Sequence, residues 1–449
     1  MNLDNIHIFH QKNEYAAFHG NSFNLIELNK DAYNILRRYQ QGETIEDILN
    51  NTHTSKSDVK DMLEYFSSMN NNNICKKEEN NVQGRMTIER ITLHVSNDCN
   101  LRCKYCYAAG GCYDYNRSLM TLAKAKEFID FCTKTFDNIK NIVFFGGEPF
   151  LNTRVIEYIC SEFIKRKEIG EIKYCPKFGA ITNGTILSEK VFEIIKKYFS
   201  FITLSIDGPQ DVNDVNRIDI KGTGTFDKIM RFYNKIIDIK GLLIRYEATF
   251  TQHHIDLGYS HKDIKDYLDK TLKIKGDVIT EHNLEKSYNK KMSLIKQRKI
   301  NENDMLSILS AIVNKKEKEM CQLYRNIIAI SVEGDIYPCH MNVGNNKCSL
   351  GNISSQNIYS DMNFPKNCYV FKRKFKDNTT CKSCWANNIC GGCSRIWFFN
   401  EEEQEYNTLP NKDICYSNKK YLESILLKII KMRNNPQILE KLISNTSNY

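Results

Sequence analysis

Six strand-like apolar stretches between residues 85 and 280, separated by helix-patterned ones, restrict the fold of this 449-residue chain more than any other feature. The strands fall at Ile91–Ser96, Ile142–Phe145, Phe178–Thr182, Phe201–Ile206, Leu242–Thr251 and Ile274–Thr280. Helical periodicity marks Leu122–Phe136, Arg154–Lys167, Glu189–Tyr198 with Ser188 as its cap, and Phe226–Lys240. Another helix follows Ser260, where Asp263 completes a capping box. Repeated βα units of this length predict a parallel sheet with helices outside it. Six units predict an α/β fold in the form of an open, partial (β/α)6 barrel. Its active groups belong on loops beyond the C-terminal ends of the strands.

The loop after the first of these strands carries Cys99, Cys103 and Cys106 in a C-x3-C-x2-C run with Tyr105 inside it. Three thiolates on one tight loop suit three irons of a 4Fe–4S cube and leave the fourth iron without a protein ligand. An open iron can chelate a small molecule, and an electron delivered there can start radical chemistry. Zinc is the alternative, but a closed structural zinc site wants four ligands, usually as two separated pairs. Two further motifs fall at strand ends. Gly146-Gly147-Glu148-Pro149 follows the second strand, where paired glycines let backbone approach a ligand closely. Thr182-Asn183-Gly184 ends the third, and Ser205-Ile206-Asp207-Gly208-Pro209 ends the fourth, followed by Arg217. Asp207 reads equally well as a turn cap.

No stretch approaches the length of a membrane span, and Met1–Gly20 lacks the apolar centre of a signal peptide, which predicts a cytoplasmic protein that uses no membrane. In that setting 17 clustered cysteines point to metal rather than disulfides. The formal charge of +9 is spread over many lysines, which reads as a solvated surface rather than a nucleic-acid site. It also suits an acidic peptide or an acidic electron donor.

Five regions are expected: 1–81, 85–280, 281–320 as a helical connector, 321–420 rich in cysteine, and 421–449 as a helical tail. The first holds strand-like pieces at Ile6–Phe9, Tyr15–Phe18 and Phe23–Ile26, then helical patterns at Asp31–Tyr39, Thr44–Asn50 and Asp58–Met69. The pair Thr44 and Asp47 reads as a capping box, and an asparagine run near residue 71 reads as a linker. The fourth region contains Cys321, then Cys339, then Cys381-x2-Cys384-x5-Cys390-x2-Cys393, and finally Cys415. A hairpin over Ile327–Pro338, turning at Glu333-Gly334, would bring Cys339 back toward Cys321. Zinc is the plain alternative for Cys381–Cys393. Cys75, Cys112, Cys132, Cys160, Cys175 and Cys368 read as ordinary thiols.

The C-x3-C-x-aromatic-C loop resembles the radical S-adenosylmethionine (SAM) enzymes, and Gly146–Pro149 is similar to their GGEP motif. The C-terminal spacing resembles the SPASM domain, except that the Cys390–Cys393 step is one residue short of that pattern. The first 81 residues resemble the PqqD-like winged-helix module that reads a precursor's leader peptide by strand addition. Together these resemble the thioether-forming maturases of ribosomally made peptides, of the sactipeptide and ranthipeptide type. The resemblance implies SAM contacts at Tyr105, Gly146, Gly147, Glu148, Asn183, Ser205 and Arg217, with the Tyr105 backbone offered to the adenine. It implies three 4Fe–4S clusters: Cys99, Cys103 and Cys106 for the first; Cys321, Cys339 and Cys393 for one auxiliary cluster; Cys381, Cys384, Cys390 and Cys415 for the other. Cys348 or an open position completes the set of three. The implied partners are a cysteine-rich precursor and a flavodoxin or ferredoxin. Three alternatives stand beside thioether formation: formylglycine formation as in anaerobic sulfatase maturases, carbon–carbon cross-linking, and a non-catalytic iron–sulfur or zinc peptide carrier or redox sensor. No protein base is singled out.

Overall fold

The computed structural model describes residues 3, 6–50, 52–69, 86–113, 115–281, 300, 302–318, 327–355, 378–400, 402–403, 405–407, 409–435 and 437. The chain forms two compact units. One comprises Met1–Asn80, Asn289–Cys321 and Arg373–Tyr449; the other comprises Asn81–Tyr288 and Gln322–Lys372.

In the first unit, strands β1 (Ile6–Gln11), β2 (Glu14–His19) and β3 (Asn24–Leu28) form an antiparallel sheet in chain order. Helices α1 (Lys30–Gln40), α2 (Ile45–Leu49) and α3 (Lys56–Ser68) follow, and Thr44 and Asp47 form the expected capping box. One sheet face packs Ile8 and Ala17 against Leu36, Val59 and Leu63. The other packs Phe9, Ala16 and Phe18 against Leu422, Ile425 and Leu426. Those two leucines and the isoleucine lie on helix Lys412–Arg433, which runs through the boundary expected at 420/421. The sheet is therefore sandwiched between its own helices and the end of the chain.

The second unit is built on a nine-stranded sheet. Its parallel part is β4 (Met86–Ser96), β5 (Phe136–Gly146), β6 (Lys177–Thr182), β7 (Phe199–Ser205), β8 (Leu243–Phe250) and β9 (Gly276–Thr280), paired in chain order. Between them lie α4 (Leu122–Thr135), α5 (Thr153–Glu168), α6 (Glu189–Tyr198), α7 (Gln210–Asn216), α8 (Phe226–Ile236), α9 (Gln252–Asp256) and α10 (His261–Leu272). The six-unit α/β architecture is thus the one expected. Beyond it, β10 (Ile327–Ile330) pairs parallel with β4, and the β10–β11 (Asp335–Tyr337) hairpin turns through Glu333-Gly334. The capping box of Ser260 and Asp263 is present. Ser188 stands at the start of α6, but its side chain makes no cap hydrogen bond. Helix α8 stops at Ile236, short of the expected Lys240, because residues after Ile237 turn back, with Leu242 N–H donating to Ile239. The strands β4 and β5 begin earlier than their apolar cores suggest, since the pairing of Met86 with Phe136 needs only backbone.

Apolar residues on the helix-facing side of the sheet form one core: Ile91, Leu93 and Val95 of β4, Phe144 of β5, and Leu204 of β7, packed on Phe128, Ile159 and Phe232. Phe144 is fully buried and its ring lies 6.2 Å from Phe178 and 5.8 Å from Phe199. Replacing Phe144→Ala is expected to cost about 3–5 kcal/mol. Urea titration followed by circular dichroism checks this as a lowered midpoint at unchanged secondary structure.

Candidate functional site

The cysteine loop is built by backbone and small polar groups at the C-terminal end of β4. Ser96 Oγ donates to the Asp98 carbonyl, and Asp98 Oδ1 accepts from the Cys99 N–H at 2.8 Å. Arg102 N–H donates to Ile218 O at 2.7 Å and Lys104 N–H to Asn216 O at 3.0 Å, so the segment after α7 holds the far side of the loop. Arg117 pairs with Asp98. The Gly146-Gly147 step lies directly against this loop. Gly147 N–H donates to Ser96 O, and Glu148 N–H to Asp98 O, both at 2.9 Å. A Cβ on Gly146 would sit 2.1 Å from Ser96 O, and one on Gly147 2.2 Å from Asp98 O, so only glycine allows the approach.

Glu148 is fully buried. Its Oε1 accepts from Thr182 Oγ1 at 2.8 Å and from Phe150 N–H at 3.1 Å, while Oε2 accepts from Asn183 N–H at 2.8 Å. The carboxylate thus braces the ends of β5 and β6. Of the nearby carbonyls, Gly146 O accepts from the Tyr113 hydroxyl and Glu148 O from Leu151 N–H. Asn183 Nδ2 points at Cys99 Sγ from 3.6 Å, and Leu101 N–H reaches the same sulfur at 3.4 Å. Below the loop, Tyr105 donates to Asp207 Oδ1 at 3.0 Å and accepts from Arg217 Nη1 at 2.6 Å. Arg217 lies 3.8 Å from Asp207 and keeps an unpartnered buried Nε. Asp207, fully buried, also accepts from Thr249 N–H, so it ties strands together rather than capping a turn. Ser205 is half-buried at the end of β7.

The C-terminal cysteines divide. Cys381, Cys384, Cys390 and Cys415 line one cavity together with Trp397, Phe398, Asn418 and Lys419. Asn418 Nδ2 donates toward Cys390 Sγ at 3.7 Å. Cys393 is half-buried in the same unit and does not line that cavity. Cys339 and Cys348 are buried in the other unit, on the turns that follow the β10–β11 hairpin, and Asn342 Nδ2 points at Cys348 Sγ from 3.8 Å. Cys321 lies outside the described residues. Among the described residues, no three His, Cys, Asp or Glu side chains gather on a point where one metal ion would be held. A cube's ligands sit on different corners, so they need not converge. The donor sets themselves, three thiols on one loop and four on one cavity without carboxylate or imidazole, fit iron–sulfur clusters.

Residues 93–271 match the Radical SAM superfamily, and residues 321–385 match SPASM, an iron–sulfur cluster-binding domain. The chain thus carries a radical SAM domain and a SPASM domain, and it is an enzyme. It is 24% identical over 374 residues to a cysteine-type anaerobic sulfatase-maturating enzyme of Clostridium perfringens, covering 76% of this chain and 97% of that one. It is 23% identical over 412 residues to the antilisterial bacteriocin subtilosin biosynthesis protein AlbA of Bacillus subtilis, covering 83% of this chain and 85% of the other. Among solved structures, anSMEcpe with bound AdoMet superposes with a TM-score of 0.56 at 21% identity, over 79% of this chain and 97% of that one. That likeness shows the fold.

Electrostatics of the radical SAM loop reflect its burial. Burial, with Glu148 next in weight, pushes the Cys99 thiol up to about 12. Burial likewise raises Cys103, against the nearby Arg217 cation, and lifts Cys415 to about 11. A metal must displace these protons when it binds. Burial also outweighs the three donors to Glu148 and raises its carboxyl from 4.5 to about 7. The folded chain then holds this proton to higher pH than the unfolded chain does. Its stability therefore falls as pH rises from about 4.5 to about 7, by up to about 3 kcal/mol. In Glu148→Gln that part of the pH dependence disappears, which denaturant titrations of the cluster-free protein at several pH values will show.

Proposed function

We propose that this enzyme matures a ribosomally made, cysteine-rich peptide by joining cysteine sulfurs to acceptor carbons as thioethers. The observation that carries this reading is the folded β1–β3, α1–α3 body ahead of the barrel. Among the described residues its sheet ends in β1 and β3, and no further strand pairs with either, which supports leader binding by strand addition. The likeness to a bacteriocin biosynthesis protein over 412 residues supports it. The PqqD-like identity of this body, and the region bounds other than the one at 420/421, are part of the same proposal.

In this reading Cys99, Cys103 and Cys106 hold the first 4Fe–4S cluster. Bound by these three thiolates, such a cluster would supply the electron for reductive cleavage of SAM. Gly146, Gly147 and Glu148 would seat the SAM amino group against backbone, while Ser205 and Arg217 would take the carboxylate and ribose. Asn183 and the Tyr105 backbone complete the site. Arg217, already held by Tyr105 and Asp207, is oriented without spending freedom on binding. Cys381, Cys384, Cys390 and Cys415 would hold one auxiliary cluster, a reading supported by the cavity that they share. Cys321, Cys339 and Cys393 hold the other, completed by Cys348 or by an open position. The electron comes from a flavodoxin or ferredoxin. Per bridge the balance is one C–H, one S–H and SAM giving a C–S bond, 5′-deoxyadenosine, methionine and a proton.

The second reading is formylglycine formation on a sulfatase, favoured by the similarity to the Clostridium perfringens maturase. The two separate in one experiment. Protein reconstituted anaerobically with iron and sulfide receives SAM, dithionite and either a cysteine-rich precursor encoded beside its gene or a sulfatase-derived cysteine peptide. Loss of two hydrogens per bridge from the precursor, with two fewer alkylatable groups for every two bridges, is the expected outcome, and Cys103→Ala abolishes it. Conversion of the sulfatase peptide to an aldehyde, with the precursor unchanged, overturns the proposal.

A further inference from the structure

Strand β4 reads Arg90-Ile91-Thr92-Leu93-His94-Val95-Ser96, a strict polar–apolar alternation. Ile91, Leu93 and Val95 enter the core under the helices. The two-residue period sets Arg90, Thr92, His94 and Ser96 on the opposite face, inside the curve of the sheet. His94 is fully buried there, and among the described residues neither ring nitrogen has a hydrogen-bond partner. Its ring packs edge-on to Tyr113 at 4.7 Å and to Phe145 at 5.3 Å, and Phe145 in turn meets His340 edge-on at 5.3 Å. Tyr113 is anchored by its bond to Gly146 O at 3.1 Å, with the Tyr107 hydroxyl 3.5 Å away. The imidazole therefore sits one inward position, about 7 Å along the strand, below Ser96 and the cysteine loop.

An imidazole walled by aromatic rings with two unmet polar atoms is costly, and a partner that enters during function offsets that cost. Burial holds the ring neutral, with the proton lost down to about 3. A neutral imidazole offers one donor and one acceptor, the same pair that a peptide unit presents.

We propose that His94 is a substrate-contacting residue that hydrogen-bonds a backbone amide of the peptide threaded into the barrel, next to the residue that loses hydrogen. Tyr113 and Phe145 fix the ring's plane, so they act as positioning residues. The inference rests on the peptide-maturase reading above, but the binding half of its test does not need the chemistry to work.

The variants are His94→Phe, which keeps the edge-on packing and deletes both nitrogens, and His94→Gln, which restores a donor and an acceptor. Iron and sulfide content with the circular dichroism spectrum establishes that each variant is folded and loaded. Affinity for a fluorescent cysteine-rich precursor is measured by anisotropy with SAM present and reductant absent. His94→Phe is expected to weaken binding about tenfold, with His94→Gln recovering part of the loss. In turnover, 5′-deoxyadenosine formed per modified peptide rises several-fold in His94→Phe, because a displaced peptide wastes radicals. Unchanged affinity and an unchanged ratio in a folded, loaded His94→Phe overturn the inference, as when ordered water alone satisfies the ring. Wild-type protein that binds the precursor but modifies nothing would remove the maturase reading while leaving the affinity comparison to decide on His94.

Discussion

Where β4 and β5 end, backbone meets backbone with no room for a side chain between them. Gly146 and Gly147 lie so close to Ser96 and Asp98 that a single Cβ at either position would drive the strands apart. That approach fixes the cysteine loop over the open end of the sheet, and the rest of the site is arranged around it. Glu148 can reach Thr182 and Asn183 only because the chain turns inward at those glycines. Its three hydrogen bonds then lock β5 to β6, and they place Asn183 against Cys99. A residue that looks like a ligand contact is, in its side chain, the brace that sets the floor of the site.

The same economy governs the sulfurs. Cys99 accepts from Asn183 and from the Leu101 N–H, and Cys390 accepts from Asn418. Donors to a cluster's sulfurs stabilise the added negative charge and raise its reduction potential. The protein thus has levers on more than one sulfur site, and they are ordinary amides held in place by loop geometry. On the opposite side of the loop, Tyr105, Asp207 and Arg217 form a buried network in which the carboxylate and the cation share the Tyr105 hydroxyl, while Asp207 Oδ2 and Arg217 Nε lack a hydrogen-bond partner among the described residues.

Much of this was legible in the sequence because it depends on short-range pattern. Strand–helix alternation gave the sheet order, and caps such as Thr44 with Asp47 and Ser260 with Asp263 form as read. The cysteine spacing and the paired glycines pointed to the strand ends. What escaped were features created by tertiary packing. Asp207 reads as a turn residue until Tyr105 and Thr249 are seen to reach it across 102 and 42 residues of chain. The sharing of the first sheet's second face with helix Lys412–Arg433 leaves no local mark, so the first and last regions read as separate bodies. His94 did leave a mark. Parallel strands covered on both faces are usually apolar throughout, and the alternation from Arg90 to Ser96 departs from that.

The proposed function requires that SAM, through its amino nitrogen and carboxylate, bind an iron that Cys99, Cys103 and Cys106 would leave unligated. Electron–nuclear double resonance on the reduced, anaerobically reconstituted protein, with SAM labelled by nitrogen-15 in its amino group, tests it directly. The account predicts a resolved nitrogen coupling to a cluster signal that survives loss of Cys390 and vanishes in Cys103→Ala. A reduced cluster whose spectrum is indifferent to SAM, or a protein that fills Cys99, Cys103 and Cys106 with zinc, would contradict it.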